Sequence, residues 1–350
     1  MCAWKVEPPN SPLISVVMPV YNSAGYVAEA INSILAQTHI NFEFIIVDDG
    51  STDGTANIVR EFAARDARIR PLFATHGGRS RAANLAIAQA RGEWMARIDA
   101  DDIALPHRLA VQLDWVQRTG VDICGSNVKG FGTDTRLIWV PESHQAICHE
   151  LLFRLGLFQS SVMIRTEIAK THLYDEQAAF EDYEMWTRLA LRYRLGNVSQ
   201  VLLMYRSHEN QSHVVESTAF GNDVVKYSRR LFAGLFPDVT EADQAAVADL
   251  VARRPAPSIK QLERSGHWLV RLAQTPDNFL RKRMANRWWA ACHRSTGLGW
   301  QNYWLYRRIA PQFNAISTHP TWALGIMSAL RLNPASRLVA WFRRALFRKN

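Results

Sequence analysis

Residues 42–55, FEFIIVDDGSTDGT, contain a buried strand, a polar turn and the start of a helix in direct succession. The run Phe42–Asp48 is short, almost continuously apolar and rich in β-branched residues, which is typical of a strand that is covered on both faces of its sheet. The residues after it are dense in glycine, serine, threonine and aspartate, the residue types that form turns. Asp53 or Thr55 is expected to cap the helix that follows.

The same alternation of strand and helix extends to both sides of this segment. Strands are predicted at Ile14–Val20, Ile69–Phe73 and residues 94–98, with helices around residues 27–35 and 80–90. Parallel strands that are joined by helical crossovers form a doubly wound α/β domain. We therefore expect a Rossmann-like, mostly parallel sheet flanked by helices, with ligands bound beyond the carboxyl ends of its strands.

Three carboxylates follow the strand predicted at residues 94–98. Asp99, Asp101 and Asp102 lie within four residues, and such a group is unfavourable unless a cation is shared. Mg²⁺ or Mn²⁺ would resolve the repulsion, because these ions bind one or two carboxylates and complete their coordination with diphosphate oxygens and water. A solvated acidic turn that caps the next helix is the alternative interpretation.

Two further acidic pairs stand at the ends of predicted elements. Asp48 and Asp49 end the second strand, where a carboxylate can accept hydrogen bonds from a base and a ribose, although Asx turns are the simpler explanation. Glu181 and Asp182 open a helix that is predicted to bury Trp186. A carboxylate at a helix start is consistent with capping and also with a catalytic base that accepts a proton from a hydroxyl.

Five motifs follow one another in a specific order: PVYN (19–22), VDDGSTDGT (47–55), a helix-to-strand passage with Asn84, Ala90 and Gly92, DADD with P..RL (99–109), and FEDYEMWTRL (180–189). In this order and spacing they closely resemble the inverting family 2 glycosyltransferases of bacteria, over about residues 12–210. The resemblance implies the glycosyltransferase A-type fold. In that fold a nucleotide-binding half and an acceptor half share one sheet.

The resemblance also implies a role for each matching residue. It makes Asp182 the catalytic base and Asp101 a metal ligand, with His208 of the YRSH sequence as a second metal candidate. The processive synthases carry a Q-x-x-R-W motif that this chain lacks, and its absence favours addition of one sugar per encounter. Contacts with the nucleotide sugar are implied for Pro19, Tyr21, Asn22, Asp48, Asp49, Arg81 and Asp99.

The last hundred residues differ in charge from the rest of the chain. Residues 251–350 hold eighteen Lys and Arg against two acidic residues, and seven of the twelve tryptophans. Residues 337–347, RLVAWFRRALF, place an apolar helix face opposite arginines, which predicts a helix lying on anionic lipid. We expect an anionic membrane surface to bind through residues 281–289 and 337–349. Packing of a helical subdomain on the catalytic domain is the main alternative, and nucleic acid is disfavoured.

These observations predict a catalytic domain over residues 12–215, with halves at 12–105 and 106–215, and a helical, basic C-terminal region over residues 216–350. The expected activity is metal-dependent transfer of a sugar, with inversion, from a UDP or dTDP donor to a hydroxyl of a glycan or lipid-linked acceptor in surface polysaccharide biosynthesis. A nucleotidyltransferase-like enzyme and a non-catalytic membrane or nucleic-acid adaptor are the alternatives. Scattered cysteines and the lack of a signal-peptide pattern favour a cytoplasmic location, peripheral on the inner face of the cell membrane.

Overall fold

The structure of the chain is a computed structural model that describes residues 11–207 and 220–332. These residues divide between two compact units, and the first comprises residues 11–147 and 155–207. The second comprises residues 148–154 and 221–332. The change of unit near residue 220 lies close to the expected boundary, but the short segment in the middle of the expected catalytic domain was not predicted to join the second unit. Within the described residues, no helix has both the length and the apolar character needed to cross a membrane.

The first unit is built on a nine-stranded sheet with the order β3-β2-β1-β4-β8-β6-β9-β5, and β7 pairs with β6. The strands are β1 (Ile14–Val20), β2 (Phe42–Asp48), β3 (Ile69–Phe73), β4 (Trp94–Arg97), β5 (Ile103–Ala104), β6 (Ile123–Gly132), β7 (Leu137–Ile138), β8 (Met163–Arg165) and β9 (Leu195–Ser207). β1 to β4 pair in parallel. β8 runs antiparallel to both β4 and β6, while β9 is parallel to β6. The expected parallel sheet therefore holds for the first four strands, and the sheet is mixed beyond them.

Seven helices accompany the sheet within the described residues before residue 208. They are α1 (Val27–Leu35), α2 (Thr55–Arg65), α3 (Arg79–Gln89), α4 (Arg108–Thr119), α5 (His144–Leu151), α6 (Thr166–Thr171) and α7 (Glu181–Leu189). Every residue of β1 and β2 is buried, as their almost continuously apolar sequences predict. The apolar face of α1 packs on this core through Val27, Ile31 and Ile34.

The loops after β1 and β2 are tied to each other at the carboxyl edge of the sheet. Neither Asp53 nor Thr55 caps α2, contrary to expectation, because Gly54 is the N-cap residue, with a φ of 95°. Asp53 instead accepts a hydrogen bond from the backbone N–H of Ala24, and Thr55 Oγ1 accepts one from Ser23. These side chains therefore join two loops, and this fixes the edge of the sheet at which ligands are expected.

The described part of the second unit is helical. Its helices are α8 (Phe220–Leu235), α9 (Glu241–Val251), α10 (Ile259–Leu272), α11 (Asn278–Arg294), α12 (Trp300–Ile309) and α13 (Thr321–Ala329). Leu262, Leu269, Leu280, Met284 and Trp288 are fully or almost fully buried. The expected helical C-terminal region is thus observed with a core of its own.

Residues 281–289 lie in α11 and serve mainly the packing of this unit. Lys282 is the exposed residue of the nine. Arg283 and Arg287 form ion pairs with the buried Glu150. The structure therefore does not support the expectation that this segment adds to a membrane surface, because its arginines are engaged within the unit. The helix expected at residues 337–349 lies outside the described residues.

Candidate active site

The predicted site residues at the ends of β1 and β2 hold the local loops in place. Pro19 is buried within β1, beside Val47 of β2. Asn22 has a left-handed backbone with a φ of 46°, and its Oδ1 accepts a 2.8 Å hydrogen bond from Thr52 N. Asp48 is buried and accepts a 2.9 Å hydrogen bond from the backbone N–H of Ser51.

Asp49 fastens the turn that precedes α3. Its two carboxylate oxygens accept hydrogen bonds from the backbone N–H groups of Gly77 and Gly78, at 2.9 and 2.8 Å. His76 Nδ1 lies 2.9 Å from Oδ2 of the same carboxylate. The ring of His76 stacks on Tyr21, with 4.2 Å between the ring centroids, and Tyr21 is 45% exposed. In this structure Asp49 therefore serves the turn, and its expected contact with a base and ribose stays a prediction.

Asp99 begins the acidic turn after β4 and is held from two sides. The buried guanidinium of Arg97 donates to Asp99 Oδ1 from Nη2 at 2.7 Å. The backbone N–H of Asp99 donates to Ser160 Oγ at 2.9 Å. The side chain of Asp99 is still 33% exposed, so it remains accessible to a ligand.

The end of β9 closes over the same acidic turn. The backbone N–H of Arg206 donates to Asp102 Oδ1 at 3.0 Å, and its Nε donates to the carbonyl oxygen of Asp101 at 2.9 Å. The Arg206 guanidinium also lies over the rings of Tyr26 and Phe131. The strand that carries the YRSH sequence thus reaches the D-x-D turn, whereas His208 itself lies outside the described residues.

The acidic turn has the character of a site for a hard divalent cation. Asp102 is buried, and burial, followed by the charges of Asp101 and Asp99, raises its pKa well above the usual range. Its Oδ2 has no hydrogen-bond partner. No group of three or more His, Cys, Asp or Glu side chains is arranged to hold a metal within the described residues. The donor set nevertheless fits Mg²⁺ or Mn²⁺, because these ions accept one or two carboxylates and leave the remaining positions to phosphate and water.

Arg79, at the start of α3, links the acidic turn to the start of α7. Its Nε lies 2.7 Å from Glu181 Oε1, and its Nη2 lies 3.2 Å from Oε2. Burial disfavours its charged form, but the charges of Glu181, Asp99 and Asp182, in that order, outweigh burial and raise the pKa of Arg79. These four residues therefore form one electrostatic cluster, although the chain separates them by up to about a hundred positions.

Asp182 is the carboxylate of this cluster whose proton affinity is raised. Burial is the largest cause and the charge of Glu181 the next, and together they raise its pKa to about 7 against the opposing effect of Arg79. Its Oδ1 accepts a 2.6 Å hydrogen bond from Tyr183 N. A carboxylate with a pKa near 7 is a stronger base than an exposed aspartate and is still substantially ionised at neutral pH, which suits general base catalysis.

Asn84 holds the segment before α7 against α3. Its Oδ1 accepts from Tyr174 N and its Nδ2 donates to the carbonyl oxygen of Tyr174, both at 3.0 Å. Tyr174 is buried, and its hydroxyl accepts a 2.7 Å hydrogen bond from Gln159 Nε2. This paired hydrogen bond connects α3 to the segment that leads to Asp182.

The structure separates two arginines that the sequence pattern could not tell apart. Arg81 was expected to contact the donor, and its side chain lies against Gly77, where an added Cβ would clash with it. Arg79 was not predicted, yet it joins the carboxylate cluster. The sequence feature that could have identified Arg79 is its position directly after the Gly77-Gly78 turn, at the first residue of α3. The donor contact of Arg81 stays a prediction.

Comparisons with known proteins match this chain to glycosyltransferases. The family model described as glycosyl transferase family 2 matches residues 15–180. An uncharacterized glycosyltransferase of Haemophilus influenzae is 30% identical over 222 residues, which cover 59% of this chain and 69% of the relative. An uncharacterized glycosyltransferase of Methanocaldococcus jannaschii is 34% identical over 209 residues, which cover 56% of this chain and 71% of the relative.

Solved structures show the same fold. The crystal structure of an S. aureus TarS fragment in complex with UDP-GlcNAc aligns with a TM-score of 0.54 at 19% identity, covering 86% of this chain and 91% of that one. The mannosyltransferase PcManGT from Pyrobaculum calidifontis, in complex with GDP-Man and Mn²⁺, aligns with a TM-score of 0.51 at 17% identity, covering 94% of this chain and 90% of that one. The α/β sheet with flanking helices and a helical C-terminal region is therefore an architecture that these enzymes share.

Proposed function

Because the chain belongs to glycosyl transferase family 2, we propose that it is an inverting enzyme that takes its sugar from a nucleoside-diphosphate donor, UDP or dTDP, and uses a divalent cation. The proposed acceptor is a hydroxyl of a glycan or lipid-linked saccharide in surface polysaccharide biosynthesis. The glycosyltransferase activity and the A-type fold follow from the comparisons. The stereochemistry, donor, cation and acceptor are the proposal.

The observation that carries the proposal is the convergence of Asp99, Arg79, Glu181 and Asp182. This cluster joins the D-x-D turn, where a donor diphosphate would bind, to the carboxylate that can take a proton from an acceptor. Inversion requires the acceptor oxygen to attack from the side opposite the leaving group. A base that is distinct from the leaving-group site, and close to it, meets that requirement.

In the proposed mechanism Asp182 accepts the proton of the acceptor hydroxyl as its oxygen attacks the anomeric carbon. The bond between that carbon and the diphosphate oxygen breaks, and the nucleoside diphosphate leaves. Glu181 keeps Asp182 basic, while Arg79 limits the increase in its pKa and holds Glu181 in place. Asp101 would hold Mg²⁺ or Mn²⁺, and Asp99 would lie nearer the ribose or sugar of the donor. A bound cation would neutralise charge on the leaving diphosphate.

The donor class has two independent supports. The Tyr21–His76 stack presents an exposed aromatic surface at the edge where nucleotides bind in α/β sheets. The structural neighbours hold nucleotide sugars, UDP-GlcNAc in one and GDP-Man with Mn²⁺ in the other. We propose the uridine or thymidine donor as the first to test.

We also propose that the enzyme works in the cytoplasm, at the inner face of the cell membrane. The support is the basic C-terminal third together with the lipid-linked acceptor class. The helix expected at residues 337–349 is one proposed contact with anionic lipid.

Calorimetric titration of UDP with and without Mn²⁺, on the wild type and on the Asp101→Ala variant, tests the proposal. Mn²⁺ is expected to tighten binding in the wild type and to have little effect in the variant. Turnover of the donor should release a nucleoside diphosphate, whereas a nucleotidyltransferase would release pyrophosphate. Equal UDP affinity with and without Mn²⁺ in both proteins would refute the metal assignment.

A further inference from the structure

The described part of the second unit exposes large apolar side chains on two consecutive helices. Trp300 and Trp304 of α12, Trp322 and Ile326 of α13, and Leu330 directly after α13 are between 48% and 64% exposed. Monomeric soluble proteins rarely expose contiguous apolar surface of this kind unless it binds something. The function of this surface is not explained by the active site, which lies in the first unit.

The two helices that carry these side chains pack on each other. On α12 the ring of Tyr303 lies 6.0 Å from Trp300 and 5.9 Å from Trp304, measured between ring centroids. α13 packs on α12 at Gly325, where an added Cβ would lie 3.3 Å from the Tyr303 ring. We call the surface formed by Trp300, Tyr303, Trp304, Trp322, Ile326 and Leu330 the aromatic patch.

Positive charge borders the aromatic patch on two sides. Arg307 is exposed, and its Nη1 donates to the hydroxyl of Tyr303 at 3.3 Å. Arg331 is exposed and lies over Gly299, the residue before Trp300, with its Nε 3.1 Å from the position of an added Cβ. Neither α12 nor α13 contains an acidic residue. The surface is therefore apolar and aromatic in the middle and cationic at its edge.

We infer that the aromatic patch is the surface by which this enzyme docks on an anionic phospholipid bilayer. Tryptophan and tyrosine settle at the boundary between headgroups and acyl chains, because their rings are apolar and their polar atoms remain hydrated. Ile326 and Leu330 add apolar area that enters the acyl region, and the arginines contact lipid phosphates.

Charge favours the bilayer over a second copy of the chain as the occupant. Two copies meeting through this surface would bring Arg307 and Arg331 of both into proximity, and like charges at an interface are unfavourable. An anionic leaflet complements the same arginines. The inference rests on the proposed membrane location and places the contact on α12 and α13 instead of residues 281–289, which are mostly buried or paired.

Co-sedimentation with vesicles tests the inference. The vesicles contain phosphatidylglycerol mixed with phosphatidylcholine, or phosphatidylcholine alone. The double variant Trp304→Ser/Trp322→Ser is expected to lower the partition coefficient for the anionic vesicles about tenfold or more, because it removes two half-exposed rings from the interface. Trp139→Ser is the matched control, since Trp139 is a 47% exposed tryptophan of the first unit, and its partition should match the wild type. Wild-type tryptophan emission should be quenched by brominated phosphatidylglycerol.

Several outcomes would overturn the inference. One is equal sedimentation of the wild type and the double variant, and another is no quenching of the wild type by brominated lipid, a result that does not depend on how the variant folds. Loss of vesicle binding only when residues 333–350 are removed would assign the contact to the tail. A wild-type dimer that the double variant converts to monomer, without lipid binding, would assign the patch to self-association. UDP and Mn²⁺ binding, measured on the same proteins, should not change, so failure of the patch is distinguishable from failure of the proposed function.

Discussion

Replacement of Asp182 by asparagine separates a catalytic base from a helix-capping residue. Asparagine retains the size of the side chain and an oxygen that can accept the hydrogen bond from Tyr183 N, but it cannot accept the proton of a hydroxyl at neutral pH. A positioned general base contributes about 10²–10⁴-fold to a rate. We therefore expect kcat to fall by about that factor in D182N, with the affinity for the donor within about threefold of the wild type.

The pH dependence of kcat/KM tests the role of Asp182 independently of the size of the rate loss. Burial and Glu181 raise the pKa of Asp182 to about 7, so about half of the free enzyme holds the ionised base at pH 7. Below that pH the ionised fraction falls about tenfold per unit, and kcat/KM should fall with it. In D182N this acid limb should disappear, because the group assigned to it can no longer be titrated.

The assay measures release of nucleoside diphosphate from the donor sugar that gives the highest turnover, across pH 5 to 9. Asp175→Asn is the matched control: Asp175 lies in the segment before α7 and also accepts a backbone hydrogen bond, from Gln177 N. D175N should keep both the rate and the profile of the wild type. A D182N enzyme within about threefold of the wild type, or one that keeps the acid limb, would show that Asp182 is not the base.

Two further substitutions test the surroundings of the base, and a third tests an ion-pair network at the start of β2. Arg79→Gln removes a charge that lowers the pKa of Asp182, so the acid limb of kcat/KM should move to higher pH, whereas Arg81→Gln should leave the limb unchanged. Asn84→Ala removes three hydrogen bonds to the segment before α7, two with Tyr174 and one with Glu176. It should lower the free energy of unfolding by about 1–3 kcal/mol in urea denaturation, with kcat reduced as well. Glu43 is buried, but hydrogen bonds from Ser15, Arg91 and Arg70 outweigh burial and lower its pKa from 4.5 to about 2. Its ionised form therefore stabilises the fold above pH 4.5, and this contribution is lost as the pH falls towards 2. Glu43→Gln should cost roughly 2–4 kcal/mol in urea denaturation at pH 7, and the difference from the wild type should shrink below pH 4.5.

Local patterns predicted the elements of the first unit well. β1 and β2 are predicted from seven-residue runs in which most residues are apolar. The sequence before residue 100 alternates strand and helix at intervals that allow parallel crossovers. Such signals lie within a few residues of each other along the chain. The mixed pairing beyond β4 could not be predicted in this way, because β8 inserts between β4 and β6, and nothing in its three residues specifies those neighbours.

The sequence predicts candidate carboxylates for the site, but not the groups that lie against them in the structure. Asp99, Asp101 and Asp182 stand in motifs that identify them by type and spacing. Arg79 was missed because its role depends on Glu181, about a hundred residues away, and no helical or strand period relates two such positions. His76 was missed for the same reason, since its stacking on Tyr21 requires the loops after β1 and β3 to meet.

The distribution of basic groups among the carboxylates explains why one of them is suited to act as the base. Asp99 is paired with Arg97 at 2.7 Å, and Glu181 is held by two nitrogen atoms of Arg79. A carboxylate oxygen in a direct ion pair is occupied by the guanidinium and is less accessible to a hydroxyl group. Asp182 feels Arg79 at longer range, while burial and Glu181 act in the opposite direction. Arg79 pairs with Glu181, so its charge lowers the pKa of Asp182 without a direct ion pair to Asp182. The two acids at the start of α7 therefore act together: Glu181 holds the arginine, and Asp182 keeps a raised pKa.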